Sequence, residues 1–116
     1  MEAQIEELEK LVPPSVKGEW NLITTFTGST SKTTSLFRIP SGYWRINWQF
    51  TGPSLSIFTF SVHLEGETFY EESLMAMGPS KSDTTYLYVG PGNFYIEVEA
   101  SLIEQWTLTI EAFIPE

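Results

Sequence analysis

Apolar and polar residues alternate in short runs along most of this chain. The clearest run is Tyr43 to Phe50, where Trp44, Ile46, Trp48 and Phe50 fall on one side and Tyr43, Arg45, Asn47 and Gln49 on the other. A period of two is that of a half-buried strand, one face on a core and one in water. The same rhythm governs Phe94 to Ala100, with Phe94, Ile96, Val98 and Ala100 opposite Tyr95, Glu97 and Glu99. It returns in the last strand, where Trp106, Leu108, Ile110, Ala112 and Ile114 oppose Thr107, Thr109 and Glu111.

Weaker runs fill the rest. Trp20, Leu22, Thr24 and Phe26 share one face of a first strand, and Lys32 to Ile39 reads as a second, with Ser35, Phe37 and Ile39 inward. Leu55 to Leu64 turns Phe58, Phe60, Val62 and Leu64 inward. Thr68 to Met77 is the poorest, and its acids place it at a sheet edge, where charge deters pairing with another chain. Thr84 to Val89 completes the set. Gly- and Pro-bearing turns separate the runs, among them Pro40-Ser41-Gly42, Glu65-Gly66-Glu67, Gly90-Pro91-Gly92-Asn93 and the longest loop, Gly78 to Asp83. Eight strands at even spacing, with no helical period among them, predict an all-β, eight-stranded antiparallel two-sheet sandwich or jelly roll; a closed barrel is the alternative.

The first residues follow another rule. Met1, Ile5, Leu8 and Val12 are spaced 4, 3 and 4 apart, the apolar seam of a helix, and Pro13-Pro14 stops it. The predicted organisation is therefore a helix and linker over 1–14 and a β domain over 15–116. The helix alone is too short to be stable in water. It either lies on the domain or is the end of a coiled-coil stalk that gathers copies into a homo-oligomer through Ile5, Leu8 and Val12.

Composition narrows the function classes. The chain has 116 residues, enough for one domain with its own core, and 15% are aromatic. Cysteine is absent, which removes disulfides, thiolate metal sites and Cys nucleophiles. The formal charge is −9, from 15 acids against 6 scattered bases, which argues against nucleic acid and against anionic membranes. No apolar run approaches the roughly 20 residues of a membrane span. Met1-Glu2-Ala3-Gln4 lacks the basic and apolar regions of a signal peptide, so the chain reads as cytoplasmic as it stands, or extracytoplasmic as a piece of a longer protein.

Candidate chemistry is sparse. His63 is the sole histidine and Asp83 the sole aspartate, and no Gly-x-Ser-x-Gly elbow is present. One histidine and no cysteine predict no zinc or copper site, and no cofactor is indicated. Glu97 and Glu99, two apart on one strand and so about 7 Å from each other, could serve a glycosidase-like hydrolase. The reading preferred for them is a solvated outer face that keeps a β protein soluble. The outward tyrosines, Tyr43, Tyr86, Tyr88 and Tyr95, suit interfaces and sugar stacking. With Arg45, Asn47 and Gln49, Tyr43 forms an outward polar-aromatic row fitted to a carbohydrate or a protein surface.

Three stretches carry a family resemblance: Phe37 to Ile46, Pro91-Gly92-Asn93-Phe94-Tyr95-Ile96-Glu97-Val98, and Trp106 to Ile110. Together with Thr84 to Val89 they resemble bacterial pre-peptidase C-terminal domains over about residues 33–112. The resemblance implies a non-catalytic β-sandwich accessory of a larger or secreted protein, concerned with localisation or polymer binding. The expected function is a non-enzymatic binding or assembly module, with the hydrolase based on Glu97 and Glu99 as the rival.

Overall fold

A strand with one apolar face is stable only when that face lies on another, and the chain meets this demand with two sheets laid face to face. The computed structural model describes residues 17–67 and 70–115. Among them are nine strands: β1 (Gly18–Gly28), β2 (Lys32–Thr33), β3 (Phe37–Ile39), β4 (Trp44–Thr51), β5 (Ile57–Leu64), β6 (Tyr70–Met77), β7 (Lys81–Leu87), β8 (Gly92–Ser101) and β9 (Gln105–Pro115). The first sheet has the order β1-β9-β4-β7, and the second has β8, β5 and β6 in line with β2 and β3 both on the other side of β8. Every pairing is antiparallel. The architecture is a two-sheet sandwich rather than a closed barrel, and no helix occurs among the described residues. The helix expected over residues 1–12, with Ile5, Leu8 and Val12, lies outside them.

The core is aromatic. Trp44, Phe50 and Trp106 from the first sheet and Phe58, Phe60 and Phe94 from the second are fully buried. Trp44 meets Phe94 across the sandwich with ring centres 4.9 Å apart, and Phe50 meets Phe58 at 5.3 Å. Each such ring removes about 150–250 Å² from water. A buried indole N–H must also find an acceptor. Trp44 donates to the Val89 carbonyl at 2.8 Å, Trp106 to the Thr30 carbonyl at 3.0 Å and Trp48 to the Thr85 hydroxyl at 3.1 Å. The tryptophans thus tie the core to loop backbone and to an edge-strand hydroxyl while filling it.

Four expectations need correction. The first strand does not keep one face: Leu22 pairs with Glu111 and Thr24 with Ile110, so Ile23 is an extra residue in a bulge. Trp20 and Leu22 therefore lie on the outer side of the sheet, and only Thr24 and Phe26 turn inward. Lys32 to Ile39 is not one strand, because four steps from Thr33 to Phe37 span three from Glu97 to Phe94. Buried Thr34 bridges the break. Its amide donates to the Ile96 carbonyl at 2.9 Å, and its hydroxyl accepts the Ile96 amide at 3.0 Å. The count is accordingly nine strands rather than eight. Lys81 to Asp83, expected in a loop, begin β7 and pair with Phe50, Gln49 and Trp48. β7 has a neighbour on one side only, so charged side chains are tolerated there and deter a further strand. β6 borders the second sheet as expected, with Leu74 and Ala76 turned to the core and Met75 exposed.

The two sides of the first sheet should respond oppositely to truncation. Trp44→Ala is expected to cost about 3–5 kcal/mol, whereas Leu22→Ala, at a residue 64% exposed, should stay within about 0.5 kcal/mol. Chemical denaturation of both variants checks this, and similar losses would reverse the assignment of faces.

Candidate functional site

Because β4 runs between β9 and β7, its outward residues sit in the middle of a grid. Cross-strand pairing sets the rows. Leu22, Glu111, Arg45 and Tyr86 form one; Thr25, Thr109, Asn47 and Thr84 the next; Thr27, Thr107, Gln49 and Ser82 the last. Above the first of these lie Trp20 and Phe113, paired with each other, and then Tyr43 and Tyr88. The face therefore grades from aromatic at one end, through a charged pair, to hydroxyls and amides at the other.

At the aromatic end Tyr43 is enclosed by rings. Its centre is 5.0 Å from Trp20, 5.8 Å from Phe113, 6.2 Å from Tyr86 and 5.0 Å from Tyr88, the last nearly parallel. Tyr43 is half-buried, whereas Tyr88 remains 57% exposed. Tyr43 is thus packed among rings, and Tyr88 presents the more exposed ring. Burial, followed by the neighbouring Tyr88 phenol, pushes the Tyr43 phenol far above the ordinary tyrosine range. The Tyr88 phenol is also raised, chiefly by burial.

The charged row is equally engaged. Glu111 Oε1 accepts from Arg45 Nε at 2.6 Å and from Asn47 Nδ2 at 2.9 Å, and Asn47 Oδ1 accepts the Thr84 hydroxyl at 2.7 Å. The Arg45 guanidinium lies 4.0 Å from the centre of the Trp20 ring. Charge-assisted bonds of this kind hold both partners in fixed geometry. Arg45 is therefore neutralised, and the face does not present it as a cation for an anionic ligand. Beyond it a shallow groove of about 340 Å³ is lined by Asn47, Gln49, Ser82, Thr84, Thr107 and Thr109, with Trp48 of β4 and Asp83 of the edge strand β7. Most of its groups are short hydroxyls and amides that donate and accept at neutral charge, and Asp83 adds one carboxylate.

The structure brings Tyr43, Arg45, Asn47 and Gln49 together on one face, but only Gln49 of the four is exposed. It adds Trp20, Phe113, Glu111, Thr84 and the threonines of β9. The outward phase of the last strand signalled Thr107, Thr109 and Glu111. The bulge that delivers Trp20 had no signal.

The other candidates do not assemble into catalytic geometry. His63 is on the outer face of the second sheet, stacked on Tyr95 with centres 4.9 Å apart. Its Nε2 is 3.1 Å from the Ser61 hydroxyl and also 3.1 Å from Glu97 Oε1. A relay needs the hydroxyl and the carboxylate on opposite ring nitrogens, so this cluster is not one. Asp83 is in the other sheet. Glu99 borders a separate depression of about 390 Å³ with Ser31, Ile57 and Thr59, and Glu97 does not line it. Among the described residues no three His, Asp or Glu side chains group as metal ligands. Nor is any helix there long and apolar enough to cross a membrane.

No protein-family model matches the chain, and no curated protein matches it. Among solved structures it is similar to TmCBM61 in complex with β-1,4-galactotriose, at 16% identity and a TM-score of 0.49, over 95% of this chain and 93% of that one. It is also similar to the carbohydrate-binding module CBM6cm-2 from Cellvibrio mixtus lichenase 5A in complex with cellotriose, at 12% identity and a TM-score of 0.44, over 89% and 90%.

The shielded tyrosines predict an alkaline limit. A folded-state pKa raised above the unfolded value of about 10 leaves full stability below that value, and the stability is lost as pH rises toward the folded pKa. Melting temperature should therefore fall steeply above about pH 10, and Tyr43→Phe should flatten the fall. An equal slope in both proteins would show that Tyr43 is not the shielded group.

Proposed function

We propose that this domain is a non-catalytic binding module that holds an oligosaccharide along β4 on the outer face of the first sheet. The observation that carries the reading is that one outer face holds an exposed ring, Tyr88, toward one end and, toward the other, a shallow groove lined mainly by amides and hydroxyls together with Trp48 and Asp83. The C–H faces of a sugar pack on an aromatic ring, while its hydroxyls exchange hydrogen bonds with Thr, Asn and Gln. A shallow groove suits a chain lying across the sheet better than a small molecule that needs enclosure. Arg45 is tied to Glu111, so the ligand is neutral rather than anionic. Separation of Glu97 from the depression that Glu99 lines supports the absence of paired-carboxylate hydrolysis. If β2 and β3 count as one broken strand, the order of the strands supports a jelly roll. In that reading the domain serves as an accessory that keeps an attached protein near its polymer.

The test avoids the packed residues. Tyr43→Ala with Asn47→Ala would remove the centre of the ring cluster and of the Glu111 network, so loss of binding there would not separate folding from contact. Tyr88→Ala with Gln49→Ala changes exposed side chains. A glycan array should identify a neutral ligand, held with little dependence on salt. Titration calorimetry on that ligand should then show at least about a tenfold loss in the double variant, or roughly 1.4 kcal/mol, with the melting temperature nearly unchanged. Equal retention of the ligand by wild type and double variant would discard the site.

A further inference from the structure

We propose that the outer face of the second sheet is the docking surface for a basic amphipathic helix of a partner protein. This face lies on the other side of the sandwich from the oligosaccharide groove, and the inference does not rest on that reading.

Cross-strand pairing lays three rows across the face. Ser101, Ile57 and Met77 form one, Glu99, Thr59 and Met75 the next, and Glu97, Ser61 and Ser73 the third. The β6 side is therefore apolar and the β8 side acidic, with Ile57 between them. Met75 is 67%, Met77 55% and Ile57 39% exposed. The core takes the opposite phase of these strands, including Phe58, Ala76 and Val98, so packing within the domain does not account for the apolar strip. A contiguous strip of this kind on a small domain marks a contact. Methionine suits such a place, because its unbranched thioether adapts to an irregular partner.

Charge selects the occupant. Among the described residues no Lys or Arg pairs with Glu97 or Glu99, and Glu97 reaches only His63. The depression of about 390 Å³ is lined by both Ile57 and Glu99. A lysine or arginine entering it lays its apolar stem on the isoleucine and its charged end at the carboxylate. With β5 between β8 and β6, the acidic strip and the methionines are two strand spacings apart, about 10 Å. That is the width of a helix with its side chains. A helix along the strands sets one apolar flank on Met75 and Met77 and the adjacent basic flank on Glu97 and Glu99. A second copy of this chain is a poorer occupant, since it brings carboxylates onto carboxylates or onto methionines, and an unpaired buried carboxylate is costly. The same acids repel an anionic membrane.

The experiment uses the full chain and a fluorescently labelled helical peptide of leucine and lysine, with the leucines on one flank and the lysines on the next. A scrambled peptide of the same composition is the comparison. Anisotropy titration should show the ordered peptide binding at least about tenfold more tightly than the scrambled one. Met75→Ser with Met77→Ser, and Glu97→Gln with Glu99→Gln, should each weaken the ordered peptide about tenfold or more, the second pair also flattening the dependence on salt. These positions are exposed, so the melting temperature should stay near that of wild type. Glu19→Gln with Glu67→Gln, exposed acids away from the two strips, should leave binding nearly unchanged. Equal binding of both peptides overturns the proposal, as does full retention by the methionine variant. So does an equal loss in the Glu19, Glu67 variant, because net charge then explains the binding. A wild-type dimer in light scattering that becomes monomeric in the methionine variant assigns the face to a second copy and overturns it too. Cosedimentation with phosphatidylcholine vesicles that the same variant loses assigns the face to lipid, with the same consequence.

Discussion

The packing of Trp44, Ile46, Trp48 and Phe50 against the second sheet sets the phase of β4, and everything on the outer face follows from that phase. Successive side chains on a strand point to opposite sides, so four residues locked inward leave Tyr43, Arg45, Asn47 and Gln49 outward. A slip of one residue would drive Arg45 and Asn47 into an aromatic core and lift two tryptophans into water. Neither β9 nor β7 can slide past β4 without breaking its own inward set, Trp106, Leu108 and Ile110 on one side and Leu87 on the other. The grid of outward groups is therefore as rigid as the core beneath it.

Rigidity alone would not make that grid a place for a ligand; its side chains must also be relieved of their own demands. Arg45 satisfies its charge on Glu111 and its apolar plane on Trp20. Asn47 spends its amide on Glu111 and Thr84. Tyr43 is held between rings. What remains available is a graded strip, with Tyr88 at one end and Gln49 and the threonine hydroxyls at the other. The long side chains at its centre are already ordered, so on the proposed reading a ligand there would meet groups whose conformational entropy has largely been lost in folding.

The second sheet has the same ingredients in a different arrangement. Tyr95 stacks on His63, and Glu97 and Ser61 both approach a single imidazole nitrogen. Chemistry depends on which nitrogen each group reaches, not on the presence of three suitable residues. One edge of each sheet, β7 in the first and β6 in the second, carries charge (Lys81 and Asp83, Glu71 and Glu72), which deters pairing with another chain.

The faces of β4, β5, β8 and β9, the turns between them and the edge position of β6 were legible in the residues, because alternation and turn chemistry are local properties. So was the outward row of β4. Local pattern does not report pairing. The Ile23 bulge that places Trp20 outside, the break at Ser35 and Leu36, and the entry of Lys81 to Asp83 into β7 each arise when a strand meets a partner of different length or phase. The Glu111 network joins residues 66 and 64 positions apart. Whether Tyr43, Tyr86 and Tyr88 share a patch while Tyr95 lies in the other sheet depends on strand order. That order is chosen by how two sheets bury a common core, and the tertiary structure alone decides it.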